Sequence, residues 1–510
     1  MERLKRLCRE NLKFLGVGKA LLLVFLFLFS RFFKLTRLPI FCDEAIYIRW
    51  AQIAWHDASQ RFISLTDGKQ PLQTWLTIPF LRIIDDPLAA GRAMAGAAGF
   101  FLFIIAFFGS AVFFKKKEAG FWTAILFLVA PYLVFFDRMA LAESLLALFG
   151  LGAFFFSYLL GTTRRLDVAL LAGIWLGFGL LVKSSAFFFL LLFPLGLIFI
   201  VKKDWRRGSA RELKKFTLLF IVVLLVSLVI YNVQRLSPWM YVIAQKNKTF
   251  ALPLSQAIRE PKRLIHNFSS AMDWFWTYLT PPIFLVSLIG LFWLLKEDMR
   301  RGLFLLGWLL FPLLGESLIA KVFTSRYLAF LAPLFLLGAA YFLLRLRGLL
   351  KREQKRFFLG LVVFVVIWPL WRDYQLIFIP EKFPFTKTDR GYLEEWTAGY
   401  GVVEVAEIIK KEALERSVVV GTEGYFGLLP QGLEIYLEGT GRVNIVSYYP
   451  LPSSLPPEKL LEEAKKGKGA YLLVNNTPGD LSNSRMVLVA EYPKINNSGS
   501  LRLYEVVAKK

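Results

Sequence analysis

The sequence predicts a polytopic α-helical membrane protein. It would have about eleven transmembrane helices, interfacial helices in the first outside loop, and a small C-terminal α/β soluble domain. Three observations carry this. The 510 residues are 56% hydrophobic, with 50 Phe and a mean hydropathy of +0.52, beyond what an ordinary soluble domain carries. Clusters of Lys and Arg fall in every second loop between apolar runs. The composition then turns soluble: residues 380–510 hold 16 Lys+Arg against 17 Asp+Glu, while residues 1–379 hold 46 against 21. The net charge of +24 therefore belongs to the apolar part and reads as loop charge. A nucleic-acid partner is not expected, because it needs a basic stripe on a soluble face. The expected domains are 1–379 and 380–510.

The N-terminus is basic (Arg3, Lys5, Arg6, Arg9, Lys13) and runs into GVGKALLLVFLFLFSRFF. No small-residue cleavage site follows, and Arg31 and Lys34 come next, so this is an uncleaved first span. Cys8 and Cys42 flank it, which puts them on opposite sides of the membrane and excludes a bridge between them. Further apolar segments lie at 88–114, 119–136, 139–160, 166–182, 184–201, 216–233, 280–295, 302–320, 327–344 and 357–372. With the N-terminus inside, the inside loops are Lys115–Lys117, Arg164–Arg165, Lys202–Lys215, Lys296–Arg301 and Arg345–Arg356, and all are basic. This predicts a multi-pass plasma-membrane protein with a cytoplasmic N-terminus and an extracytoplasmic C-terminal domain.

The segment PLQTWLTIPFLRII (71–84) is too short for a comfortable crossing. Its Leu72, Trp75, Leu76, Pro79 and Phe80 form one apolar stripe, as in a helix lying in the interface. Residues 44–56 read the same way. The outside loop 234–279 is aromatic (Trp239, Tyr241, Trp274, Trp276, Tyr278), either a belt at the interface or a lid over a site. In the tail, 402–415 reads as an amphipathic helix and PPEKLLEEAKK as a helix begun by Pro. SVVVG, LEIYL, VNIVSYY, AYLLVN, MVLVAEY and LRLYEVV read as strands. GTEGYFG lacks the glycine spacing of a dinucleotide loop. Asn247, Asn267, Asn475 and Asn496 open N-x-[ST] triplets, which matter only where a cell glycosylates them.

On this topology the polar residues gather at one face. Asp43 and Glu44 follow the first span, and Lys69 precedes the 71–84 stripe. Asp137–Arg138 mark an outer turn, with Glu143 just beyond; Lys183 and Arg326–Tyr327 cap two more outer turns. Ionisable groups at membrane depth are costly and suggest function. Cations at a membrane face suit an anionic phosphate on a lipid, and a carboxylate beside them suits proton removal from an incoming hydroxyl.

The set resembles the GT-C superfamily of polyprenyl-phosphate-sugar glycosyltransferases, in the branch of protein O-mannosyltransferases and the lipid A aminoarabinose transferase. The matching residues are Asp43–Glu44 after the first span, Gly68-Lys69-x-Pro71-Leu72, Arg138 to Glu143 in R-x-A-L-x-[DE], Lys183, and Arg326-Tyr327-Leu328. The resemblance spans roughly residues 15–345. It departs from the pattern at Glu143, where Asp is usual, and at Gln70, where Pro is common.

The resemblance implies an inverting transfer from a polyprenyl-phosphate-linked sugar to an acceptor hydroxyl on protein, lipid or glycan. Asp43 would be the catalytic base and Glu44 its acidic companion. Lys69, Arg138, Lys183 and Arg326 would bind the donor phosphate, and Asp137, Glu143 and Tyr327 would line the donor and acceptor site. No cofactor is expected to be required. Asp43 and Glu143 are nonetheless the pair that a divalent ion would use. Two alternatives remain open. A membrane glycan polymerase or ligase is kept alive by Arg235, Arg259, Arg263 and His266 in the second outside loop. A flippase or transporter of lipid-linked sugar would predict inverted repeats, which the sequence lacks.

Overall fold

The computed structural model describes residues 9–10, 12–200 and 207–508. Arg3, Lys5, Arg6, Cys8 and the start of the basic loop at Lys202 lie outside the described residues. The chain divides into two compact units. The first comprises Met1–Phe33, Phe62–Gln73 and Ala93–Thr386; the second comprises Lys34–Arg61, Thr74–Arg92 and Lys387–Lys510. The division near 386 lies close to the sequence boundary at 379, but most of the first outside loop groups with the C-terminal residues.

In chain order the helices up to the second hairpin are α1 (Val17–Phe32), α2 (Cys42–His56), α3 (Leu72–Leu81), α4 (Pro87–Phe114), α5 (Glu118–Leu128), α6 (Pro131–Phe136), α7 (Glu143–Thr163) and α8 (Leu166–Leu180). Then come α9 (Phe187–Leu192), α10 (Arg207–Tyr231), α11 (Met240–Phe250), α12 (Leu254–Ala257), α13 (Pro261–Tyr278), α14 (Pro281–Glu297), α15 (Met299–Ile319), α16 (Ala332–Leu349) and α17 (Lys355–Phe378). Six helices among the described residues are long and apolar enough to cross a membrane: α4, α7, α10, α15, α16 and α17, with α10 and α16 extended by 3-10 turns. The pair α13–α14, bent by 112°, makes a seventh if it is one span.

Several predicted runs are broken rather than straight. The run 119–136 splits into α5 and α6 at Val129–Ala130, just ahead of Pro131, which has no N–H to continue a helix. The run 184–201 splits at Pro194 into α9 and the 3-10 segment Phe193–Phe199. Hydropathy records apolar length, not backbone continuity.

Apolar faces of the long helices point outward. Leu218, Leu225 and Val229 on α10 and Phe364, Ile367 and Trp371 on α17 are exposed. Surfaces of this kind on two helices in one chain require hydrocarbon around them, so the chain is a multi-pass membrane protein. The helices α7 and α16 are mostly buried within the bundle. The packing of α14 on α16 depends on small residues, since a Cβ on Gly290 would stand 1.9 Å from the Gly338 carbonyl oxygen.

In the second unit the strands are β1 (Ile40–Phe41), β2 (Ala398–Gly399), β3 (Val418–Glu423), β4 (Val443–Tyr448), β5 (Gly469–Val474), β6 (Met486–Pro493) and β7 (Ser500–Val506). Its further helices are α18 (Val402–Glu415), α19 (Gln431–Leu437) and α20 (Glu458–Lys465). A five-stranded sheet runs in the order β4-β3-β5-β7-β6. β3 pairs in parallel with β4 and β5, and β7 pairs antiparallel with β5 and β6. Burial explains the positions. β3 and β5 are buried on both faces and sit inside the sheet, whereas β6 alternates buried and exposed residues and forms an edge. LEIYL, expected as a strand, is instead the helix α19. A five-residue apolar run does not distinguish the two states by period. Here Pro430 precedes a helix whose Leu433, Ile435, Tyr436 and Leu437 are all buried.

Candidate active site

Asp43 and Glu44 occupy the second and third positions of α2. The helix starts at this point because β1 ends there. Ile40 and Phe41 pair antiparallel with Gly399 and Ala398, and the Cys42 N–H donates to the Thr397 carbonyl at 3.0 Å. Glu44 accepts the Phe41 N–H at 3.0 Å, one half of a capping box. The Arg92 guanidinium grips the same carboxylate with two bonds of 2.8 and 2.7 Å, and both side chains are fully buried. Arg92 also donates to the carbonyls of Leu35, Leu38 and Pro39, which lead into β1.

Glu44 was expected as an acidic companion in catalysis. The structure places both of its oxygens on Arg92 and the start of the helix. Asp43 beside it is only partly buried, at a helix N-terminus whose dipole favours negative charge. The underside of α2 rests on α19 within the same unit, where Gln52 donates to the Ile435 carbonyl at 2.9 Å and Arg49 pairs with Glu434 at 3.0 Å.

The expected phosphate ligands belong to the first unit. Lys69 follows Gly68, whose φ of +67° carries the chain through a left-handed turn. A Cβ on Gly68 would stand 2.6 Å from Lys246 Cβ. Asp67 pairs with Lys69 at 3.7 Å and also with Lys246. Next in sequence, Gln70 donates to the Ser184 hydroxyl at 2.8 Å, beside Lys183. Lys183 pairs with Glu143 at 3.0 Å, and its ammonium lies 4.4 Å from the centre of the Tyr327 ring. Arg326 lies 5.5 Å from the same ring. Tyr132 steadies this turn by donating to the Ser325 carbonyl at 2.6 Å. Glu316, on α15, faces Lys183 and bonds to Ser185. The fold thus joins Gln70, Glu143, Lys183, Arg326 and Tyr327 in one cluster. It adds Glu316, which sequence reading missed, while Lys246 stands beside Lys69 through their shared partner Asp67. A single Glu inside the apolar run LLGESLIA was the available signal.

Asp137 and Arg138 are placed differently from expectation. Asp137 is buried, pairing with Arg31 at 3.3 Å and accepting the Ser144 hydroxyl at 2.8 Å. Arg31 also donates to the carbonyls of Phe127 and Leu128. Arg138 donates to the carbonyls of Ser30, Arg31 and Phe33 and is 2% exposed. These groups clamp the end of α1 to the α6–α7 turn. Arg138, expected at the donor phosphate, is committed here to carbonyls that α1 leaves unsatisfied. Among the described residues no group of three or more His, Cys, Asp and Glu side chains is placed to hold a metal ion.

Residues 62–241 match the model of the dolichyl-phosphate-mannose-protein mannosyltransferase family. Two solved structures of ArnT from Cupriavidus metallidurans, one in the apo state and one bound to undecaprenyl phosphate, are similar over nearly the whole chain. Each aligns with a TM-score of 0.63 and 14% identity, covering 97% of this chain and 99% of that one. No curated protein sequence matches. At this identity the structural likeness shows a shared fold, the GT-C fold, extending through the C-terminal sheet unit. With the family match, it supports the resemblance to glycosyltransferases that use a lipid-linked sugar.

Proposed function

We propose that this protein transfers a sugar from a polyprenyl-phosphate donor to an acceptor hydroxyl with inversion, at the extracytoplasmic face of the plasma membrane, and that Asp43 is the general base. The observation that carries this reading is Asp43, only partly buried, beside a neighbour whose carboxylate Arg92 holds. The family match over 62–241 and the fold shared with a protein solved with undecaprenyl phosphate support the donor class.

In the proposed reaction the acceptor oxygen bonds to the anomeric carbon while the bond from that carbon to the phosphate oxygen breaks. Polyprenyl phosphate leaves with the electron pair. The hydroxyl proton passes to Asp43. Lys69, Lys183 and Arg326 offset the charge on the departing phosphate. Glu143 and Tyr327 hold Lys183 in place for this task. Asp137, Arg138 and Glu44 serve as the frame. The catalytic step needs no metal in this scheme, so a chelator leaves the rate unchanged; loss of activity restored by Mg²⁺ or Mn²⁺ would reverse that. The N-terminus is cytoplasmic and the C-terminal unit lies outside, which cysteine labelling from either side of sealed vesicles checks.

The test is transfer from a radiolabelled polyprenyl-phosphate sugar by the purified protein. Asp43→Asn should lose about 10²–10⁴-fold in kcat while keeping its melting temperature. Full activity in that variant removes Asp43 from the role of base, and a product retaining the donor's anomeric configuration removes inversion.

A further inference from the structure

The C-terminal unit holds a second cavity, of about 590 Å³, that the proposed chemistry does not use. Its walls come from the β2 approach, the loop after β5, and the turn between β6 and β7. Trp396, Asn475, Asn476, Thr477, Asn497 and Arg502 line it. Two of the N-x-[ST] triplets, Asn475-Asn476-Thr477 and Asn496-Asn497-Ser498, thus meet across one pocket.

The walls are tied together by hydrogen bonds. Glu423, at the end of β3, accepts the backbone N–H groups of Asn475, Asn476 and Thr477 at 2.8, 2.6 and 3.1 Å. Asn475 donates to the Trp396 carbonyl at 2.7 Å, and the buried Lys494 donates to Asn475 Oδ1 at 2.7 Å and to the Glu395 carbonyl at 2.6 Å. On the opposite rim Asn496 and Asn497 both adopt left-handed backbone, with φ of 54° and 52°. Consecutive non-glycine residues in that region cost energy and persist where the surroundings enforce them. The Asn476 and Asn497 side chains are exposed, and the Trp396 indole is 46% exposed.

A fixed polar cup with one open indole suits a particular chemistry. The indole takes the C–H face of a sugar ring, and planar amides offer a donor and an acceptor side by side to vicinal hydroxyls. The lining charges do not favour an anion: Arg502 is bonded to Glu491 at 2.8 Å and to the Gly479 carbonyl at 2.7 Å, and Glu395 adds a negative group.

The pocket also connects to the proposed base. Trp396 precedes Thr397, whose carbonyl holds the Cys42 N–H, and Ala398–Gly399 pair with Phe41–Ile40. Gly427 sits between the two: a Cβ there would stand 3.0 Å from Cys42 Sγ and 3.5 Å from Trp396 Cζ3.

We infer that this pocket binds a neutral saccharide and that, resting on the transferase reading above, this saccharide is part of the acceptor. The full-length protein in detergent is titrated with methyl mannoside, methyl glucoside, methyl N-acetylglucosaminide, cellobiose and chitobiose, and binding is followed by saturation-transfer NMR. At least one should bind saturably. Trp396→Ala should weaken that binding about tenfold or more. The exposed double variant Asn476→Ala with Asn497→Ala tests the same pocket should the Trp396 variant fail to fold, and it should weaken binding severalfold. Asp43→Asn should bind as the parent does. The inference falls if no saccharide binds, or if the folded variants bind as tightly as the parent. Saccharide binding by a protein that transfers no sugar from polyprenyl phosphate would leave the site standing and sink the transferase reading.

Discussion

Two charged regions of the first unit look alike in sequence and differ in the folded chain. Arg31, Asp137 and Arg138 form a clamp in which the ion pair is 0% and 1% exposed and both arginines donate to backbone carbonyls. The cluster around Lys183 and Glu143 keeps its lysine 24% exposed, and Lys69 is 22% exposed. Both are built from cations and carboxylates at helix ends. Burial separates them: a fully enclosed cation has nothing left to offer a ligand, while a partly open one can exchange a carboxylate for a phosphate. The Arg92–Glu44 pair in the second unit repeats the clamp, at 0% exposure on both sides. Charge sealed inside the fold and charge left partly open are thus written in the same letters.

Substitutions test whether the distinction is real. The largest effect belongs to the clamps. Arg31→Ala or Arg92→Ala strands a buried carboxylate and should cost about 3–5 kcal/mol, read as a large drop in melting temperature or as loss of folded protein in detergent. Lys183→Gln should cost much less stability, because the glutamine amide can still donate to the buried Glu143, while kcat/KM for the lipid-linked donor falls about 10–100-fold, mostly in KM. A Lys183 variant that unfolds as readily as the Arg31 variant, with donor KM intact, would erase the contrast.

The smallest effect concerns a buried cation of the second unit. Burial lowers Lys494 from its ordinary value to about 8. Between that value and the unfolded value of 10.5 the folded chain binds fewer protons than the unfolded one, so stability rises with pH across this window. Chemical denaturation of the full-length protein at pH 7 and pH 9 should show a gain of about 1–2 kcal/mol. Lys494→Met should flatten it; an equal gain in that variant assigns the effect elsewhere.

Much of this was legible beforehand, for physical reasons. The helices at 44–56 and 71–84 were visible as short apolar segments, but the stripe read in 71–84 is not its buried side, since Leu76 and Pro79 are exposed while Gln73, Thr74 and Thr77 are buried; β3 and β5 carry the unbroken apolar run of an enclosed strand. Asp43 stood out because a carboxylate follows an apolar span. Three things were hidden. The role of Glu44 depends on Arg92, 48 residues away, and no local period announces that partner. A lone Arg in AAGRAMAG was the trace it left. β1 and β2 are two residues each, too short for any alternation to register. The breaks in the apolar runs depend on where a proline interrupts hydrogen bonding, which hydropathy averages away.

The ladder that sets the start of α2 joins residues near 40 to residues near 399, and α2 leans on Ile435, 383 positions downstream of Gln52. At ribosomal speeds of about 5–20 residues per second, that separation amounts to roughly 20–80 s of synthesis. Throughout that interval the nascent chain already carries Asp43 but lacks the strand and the helix that orient it. On the transferase reading, Asp43 is therefore not oriented for chemistry until the last quarter of the chain has been made, a delay between membrane insertion and activity. Ribosome-stalled chains ending before Ala398 should leave the 34–61 segment open to protease, and chains completed past Val506 should protect it.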